Sequence, residues 1–352
     1  MCDELTYCAT AIGSMPHKVV EPALESIFTH IPVCPAWPQL PQLGFRERMD
    51  VQFTEGLPCI IVDDAHEQVF FNTADEEQCM DAIGRFYQAY MHAEATDEWS
   101  AFRISPKYSA GIGIFEKRLR STSVPLLKIQ TTGPITLGMY LTDENTIPIG
   151  ENEIFRDVLL KGMIAKCRWQ LKKFTPHAEQ VLCFIDEPGL SVPLAGKPTP
   201  PVTHEDAVTI INELVDAIHA EDALCGLHCC GRADWSILIE AEVDIISFDA
   251  FCYGESLLRY PRNIKKHLEE GGYLAWGIVP TSEEIFNYDV ATLIGRYDDL
   301  VQRLAAQGPD PELICERTIL TPSCGTGTLS IAAAERVLEL LGTMSDELRE
   351  RG

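Results

Sequence analysis

Gly226-Leu227-His228-Cys229-Cys230-Gly231 ends an apolar run with an imidazole and a thiol two positions apart. Side chains of an extended segment alternate between faces, so His228 and Cys230 share one face and Cys229 takes the other. A nitrogen and a sulfur donor on one face are half of a metal site, and the remaining ligands must come from elsewhere in the chain. The pattern of a short apolar run that stops at polar residues recurs along the sequence. We read such strands at 7–12, 36–40, 126–130, 181–185, 225–229, 244–248, 273–278 and 318–320, most of them followed by a helical pattern. Eight strands alternating with helices predict an α/β protein built as a single (β/α)8 TIM barrel, with reactive groups where the strands end.

Helical periodicity supports that count. Ala207, Ile211, Leu214 and Ile218 repeat at helical spacing, with Thr203 and Asp206 placed to cap the start. Residues 153–174 form a longer amphipathic segment, and 329–341 form another that Gly342 is expected to end. The interval 51–123 is too long for one crossover helix. Apolar runs at 59–62 and 68–72 around Asp63-Asp64-Ala65-His66 predict an inserted hairpin, with helices near 75–95. No repeat or interdomain linker is visible, and Pro-rich 198–202 reads as a loop, so residues 1–352 are expected to form one domain.

With 352 residues, 46% of them hydrophobic and 23% charged, the chain has the composition of a folded globule. Carboxylates outnumber Lys and Arg by 53 to 28, a net charge of −25, which argues against nucleic-acid binding and reads as an acidic solvated surface. Neither a membrane-spanning run nor a signal core is present, so a cytoplasmic protein with reduced thiols is expected. Most of the 13 cysteines, Cys59, Cys167 and Cys183 among them, sit in apolar patterns as small core residues.

Several strand ends carry chemistry. The first leads to Gly13-Ser14-Met15-Pro16-His17, the fourth to Asp186-Glu187-Pro188, the fifth to His228 and Cys230, the sixth to Asp249 and the eighth to Cys324. A barrel gathers these on one rim. His228, Cys230 and Cys324 then offer the nitrogen and two thiolates that zinc favours, with the fourth position left to an exchangeable ligand or to Asp249. The alternative is that these cysteines only pack. Asp186 and Glu187 are costly at the end of an apolar strand unless solvated or paired; a substrate ammonium is one partner, and the alternative is that one carboxylate caps a loop or pairs with a Lys or Arg. Gly13 and Ser14 permit close backbone approach to a ligand, or simply make a turn.

Four segments together resemble the catalytic domain of cobalamin-independent methionine synthase and its uroporphyrinogen decarboxylase-like relatives. They are Ile12-Gly13-Ser14-Met15-Pro16, Thr132-Gly133-Pro134-Ile135-Thr136, Ile185-Asp186-Glu187-Pro188-Gly189-Leu190, and His228-x-Cys230 with Pro322-Ser323-Cys324-Gly325. The resemblance implies the same barrel, zinc held by His228, Cys230 and Cys324 with Asp249 where the family has Glu, and homocysteine as the thiol acceptor. Zinc would hold that thiol as thiolate, ready to attack a methyl carbon. Ile12, Gly13 and Ser14 match substrate-binding positions, and Asp186, with Glu187 beside it, matches the carboxylate that receives the amino group.

The chain departs from the pattern mainly on the methyl-donor side. The segment around Phe45 lacks the family's second amino-binding Glu, Tyr140 stands for a folate-stacking Trp, Val192 for a folate-contacting Glu and Ser282 for a catalytic His. A methyl-corrinoid protein is therefore the expected donor and partner, as in short core methionine synthases and corrinoid-dependent thiol methyltransferases. Two alternatives remain at this stage. One is a uroporphyrinogen decarboxylase-like enzyme, which needs basic groups for an acidic tetrapyrrole. The other is a non-catalytic barrel that binds a corrinoid or a metal.

Overall fold

The computed structural model describes residues 2–191 and 202–351, so Val192 and residues 198–201 of the Pro-rich loop lie outside the described residues. Seven parallel strands form one sheet: β1 (Cys8–Ala9), β4 (Val124–Thr132), β5 (Ala178–Asp186), β6 (Leu224–Cys229), β7 (Ile245–Phe248), β8 (Tyr273–Val279) and β9 (Thr318–Pro322), in the order β1-β9-β8-β7-β6-β5-β4. The other two strands, β2 (Ile60–Asp63) and β3 (Gln68–Phe71), pair antiparallel as a separate hairpin in the 51–123 interval. That interval also holds helices Glu76–Thr96 and Ala110–Leu119.

The closed eight-stranded barrel expected from the sequence is not formed. The sheet curls into a half-barrel surrounded by helices, and residues 33–39 lie between its edges without becoming a strand. Isolated parallel bridges join Ala36 to Lys128 and Ser14 to Gln39. The Leu126 and Lys128 amides donate to the Val33 and Pro35 carbonyls, and the Gln39 amide donates to the Gly13 carbonyl. Pro35 and Pro38 have no amide hydrogen, so this segment cannot sustain a ladder on both sides.

Period-two alternation sorts the side chains of each strand between two cores. In β5, Val181, Cys183 and Ile185 pack outward into the large core shared with the helices. Leu182 and Phe184 join Leu126, Ile245, Tyr273, Ala275 and Ile319 in a small inner core. At Gly226 an added Cβ would lie 2.8 Å from the Phe184 ring, so the aromatic plug requires glycine there. Continuing the inner-face alternation past Phe184 and Gly226 reaches Asp186 and His228, and the register pairs Asp186 with His228 and His228 with Ser247. A polar layer is thereby stacked on an apolar floor.

Helix His204–His219 begins with the expected capping box of Thr203 and Asp206. Two expectations fail. Gly342 does not end the last helix, which runs over Ile331–Arg351. It serves close approach instead, because a Cβ at Gly342 would sit 2.2 Å from the His30 carbonyl oxygen. Cys59 and Cys79 are not reduced core thiols but a disulfide, their Cα atoms 5.7 Å apart, since the hairpin folds onto the first turn of helix Glu76–Thr96. Among the described residues no helix is long and apolar enough to cross a membrane.

Candidate metal centre and adjoining cleft

His228 ends the inner face of β6 and is almost fully buried. Its Nδ1 is 2.9 Å from the Ser247 hydroxyl, which holds the ring, while Nε2 is buried with no hydrogen-bond partner. Cys230 follows on the same face just past the strand. Cys324 comes from the loop after β9, 94 positions later in the chain. One donor atom from each of His228, Cys230 and Cys324 lies within 4.8 Å of the others, the one such cluster of three among the described residues. A nitrogen and two sulfurs are a donor set that suits zinc, and the unpartnered Nε2 is the buried polar atom a metal would satisfy, so these residues fit the ion. The Cys324 thiol is pulled down to about 4 by hydrogen bonding from Cys230, aided by His228, against the effect of burial. The Cys230 thiol is correspondingly pushed up.

Ser14 ties the two chain ends of the site together. Its carbonyl accepts from the Thr326 amide and hydroxyl, both at 2.9 Å, and its hydroxyl accepts from the Gly327 amide at 3.2 Å. A Cβ at Gly325 would lie 2.1 Å from the Ser14 hydroxyl, so the loop bearing Cys324 can seat only with glycine beside it. Gly13 has φ +145°, with Gln130 Nε2 2.8 Å from where a Cβ would stand. Such a backbone, crowded from both sides, requires glycine.

A cleft of about 540 Å³ opens over the cluster, lined by Ile12, Ser14, Asp186, His228, Cys230 and Cys324 on its inner side. Asp186 is buried and its Oδ1 has no partner. Burial raises its carboxyl, and the Lys128 ammonium and His228 offset part of that. Glu187 is placed differently from the sequence expectation. Its carboxylate accepts the Ile135 and Thr136 amides at 3.0 and 2.8 Å and the Thr136 hydroxyl, capping helix Pro134–Tyr140, and it does not line the cleft. Burial pushes Glu187 up to about 7, and those hydrogen bonds oppose the shift. Asp249, expected as fourth ligand, is outside the cluster of three. Its carboxylate accepts the Cys252 amide at 2.7 Å as the cap of the short helix Ala250–Tyr253.

Two residues of the site were missed in the sequence. Lys128 is fully buried on the inner face of β4, bonded to the Ile12 carbonyl and, at 3.3 Å, to Gln130 Oε1. Burial lowers its ammonium to about 8, opposed by Asp186. A lone lysine inside Leu126-Leu127-Lys128-Ile129 was the available signal. Glu47 lines the cleft, so the segment around Phe45 does supply a carboxylate there, contrary to the expectation; it is buried, with one oxygen 2.6 Å from the Ala110 amide and its carboxyl raised by burial. Flanked by Arg46 and Arg48, it looks in sequence like part of a solvated face.

Neither family models nor curated proteins match the chain. Among solved structures, it is similar to a B12-independent methionine synthase from Shewanella sp. W3-18-1 in complex with selenomethionine. The two are 14% identical over 68% of this chain and 67% of that one, with a TM-score of 0.46. Identity at that level bears on neither substrate nor chemistry.

Proposed function

We propose that the protein is a zinc-dependent methyltransferase whose acceptor is a small amino thiol, homocysteine being the best fit. The observation that carries this reading is the meeting of His228, Cys230 and Cys324, with a free His228 Nε2, at the base of a cleft where Asp186 has an unpartnered oxygen. Zinc at the three donors would supply acidity, lowering the pKa of an incoming thiol so that it reacts as thiolate. Asp186 receives the substrate ammonium, with Glu47 a second carboxylate on the cleft wall. Lys128 offsets the charge of Asp186 and holds the Ile12 carbonyl in place. The acceptor sulfur forms its bond to the methyl carbon with its own electron pair, the thiol proton leaves to solvent, and the departing bond's electrons stay with the donor. A methyl-corrinoid protein is the proposed donor, on the grounds that Tyr140 stands where the resembled family has a folate-stacking Trp and Ser282 where it has a catalytic His. Glu187 and Asp249 are assigned no direct part, since both carboxylates cap helices.

The decarboxylase reading suits the cleft poorly. Among the described residues Arg48 is the one Lys or Arg lining it, and that side chain is paired with Asp50 at 2.8 Å. The test is zinc content together with methyl transfer from methylcobalamin to homocysteine. Reduced wild-type protein is expected to hold about one zinc per chain and to form methionine, and Cys324→Ala to lose both. Zinc-free wild type, or zinc-loaded wild type that binds no thiol, would sink the proposal.

A further inference from the structure

A second cavity of about 860 Å³, sharing no lining residue with the metal-site cleft, opens where the loop after β6 meets residues 250–259 and helix Val290–Ala305. Its walls carry Arg232, Arg259, Arg296 and Arg303. Arg296 and Arg303 are seven residues apart on one helix face and point into the same groove. Arg303 is neutralised by Glu255 at 2.9 Å and Asp299 at 3.2 Å. Arg296 is fixed in place, its Nη2 donating to the Phe251 carbonyl at 2.9 Å and its guanidinium 4.1 Å from the Phe251 ring centre, and it has no carboxylate partner. Arg232 and Arg259 have no hydrogen-bond or ion-pair partner among the described residues. Four guanidinium groups and the carboxylates of Glu255 and Asp299 line this groove, so its walls carry an excess of positive charge in a chain whose net charge is −25. What sets the groove apart is that several arginines converge on one concavity, and a locally positive cavity concentrates anions.

We propose that this groove binds a small organic molecule bearing at least two oxyanion groups. Guanidinium forks match phosphate and carboxylate oxygens two at a time, and Arg296 is already ordered, which reduces the entropy lost on binding. Phe251, Tyr253 and Leu258 give the groove an apolar share, so its size and lining suit an organic body rather than a bare ion. The proposal does not depend on the methyltransferase reading, because no residue of the metal site takes part.

The experiment is calorimetric titration of the full-length protein with inorganic pyrophosphate and, separately, with citrate, at low ionic strength. Saturable binding of at least one probe, with one site per chain, is expected. The double variant Arg232→Ala/Arg259→Ala should bind about tenfold or more weakly, since contacts to charged groups contribute that much. Arg85→Ala, an exposed arginine on helix Glu76–Thr96, should bind as wild type does. A preference for pyrophosphate identifies a phosphorylated ligand, and a preference for citrate a polycarboxylate. Absence of saturable binding with both probes at millimolar concentration, or equal weakening by Arg85→Ala, would overturn the proposal. Both arginines of the double variant are exposed and partnerless, so unchanged thermal unfolding is expected and ties any loss of binding to the groove.

Discussion

Ser247 makes one hydrogen bond to His228 Nδ1, 2.9 Å long, and through it sets which ring nitrogen faces the two cysteines. Partners of this kind commonly contribute tenfold to hundredfold to metal affinity. Ser247→Ala is therefore expected to weaken zinc binding by about tenfold or more while leaving the fold intact, as measured by competition with a chelator and by thermal unfolding. Unchanged affinity would show that the imidazole is oriented by packing alone. At this scale His228 and Cys230 were readable because alternation along a strand is a local rule. For Asp249 and Glu187 the sequence left alternatives open, because a carboxylate at a strand end can face a cleft or a helix terminus, and only the turn that follows decides which.

Glu187 belongs equally to the scale of elements, since it joins the end of β5 to the start of helix Pro134–Tyr140. A Cβ at Gly133 would lie 2.0 Å from the Glu187 carboxyl carbon, so glycine is required where this cap is seated. Burial raises the folded-state pKa of Glu187 from 4.5 to about 7. Its contribution to stability is then fully present below pH 4.5 and is lost as the pH rises to about 7, the folded state holding the proton more tightly than the unfolded chain. Glu187→Gln, which cannot titrate, should lack that slope. Its stability relative to wild type should improve by on the order of 3 kcal/mol between pH 4.5 and pH 7, followed by denaturant unfolding. A constant difference across that range would mean that Glu187 does not titrate there. The last helix offers a simpler check. Gly342→Ala drives a methyl group against the backbone of His30 and should cost about 1–3 kcal/mol in unfolding free energy.

Over the whole molecule, 53 carboxylates against 28 Lys and Arg leave a self-repelling surface. Salt screens that repulsion, with a Debye length near 8 Å at about 0.15 M. The melting temperature is expected to rise as sodium chloride is added from low ionic strength to about 0.15 M. A flat or falling profile would mean that the exposed ion pairs, such as Arg303 with Glu255, offset the excess negative charge.

The periodicities in the sequence determined most of the strands and helices, the side of β6 that carries His228 and Cys230, and the capping box of Thr203 and Asp206, all of which follow from interactions between near neighbours. Tertiary structure alone decided that 33–39 would bridge the sheet edges without forming a strand, because Pro35 and Pro38 cannot donate to both flanking strands. It likewise decided that Cys59 would reach Cys79 and that Lys128 would be buried facing Asp186. Contacts across a curled sheet join residues far apart along the chain, and no periodicity within a single segment encodes which of them will meet.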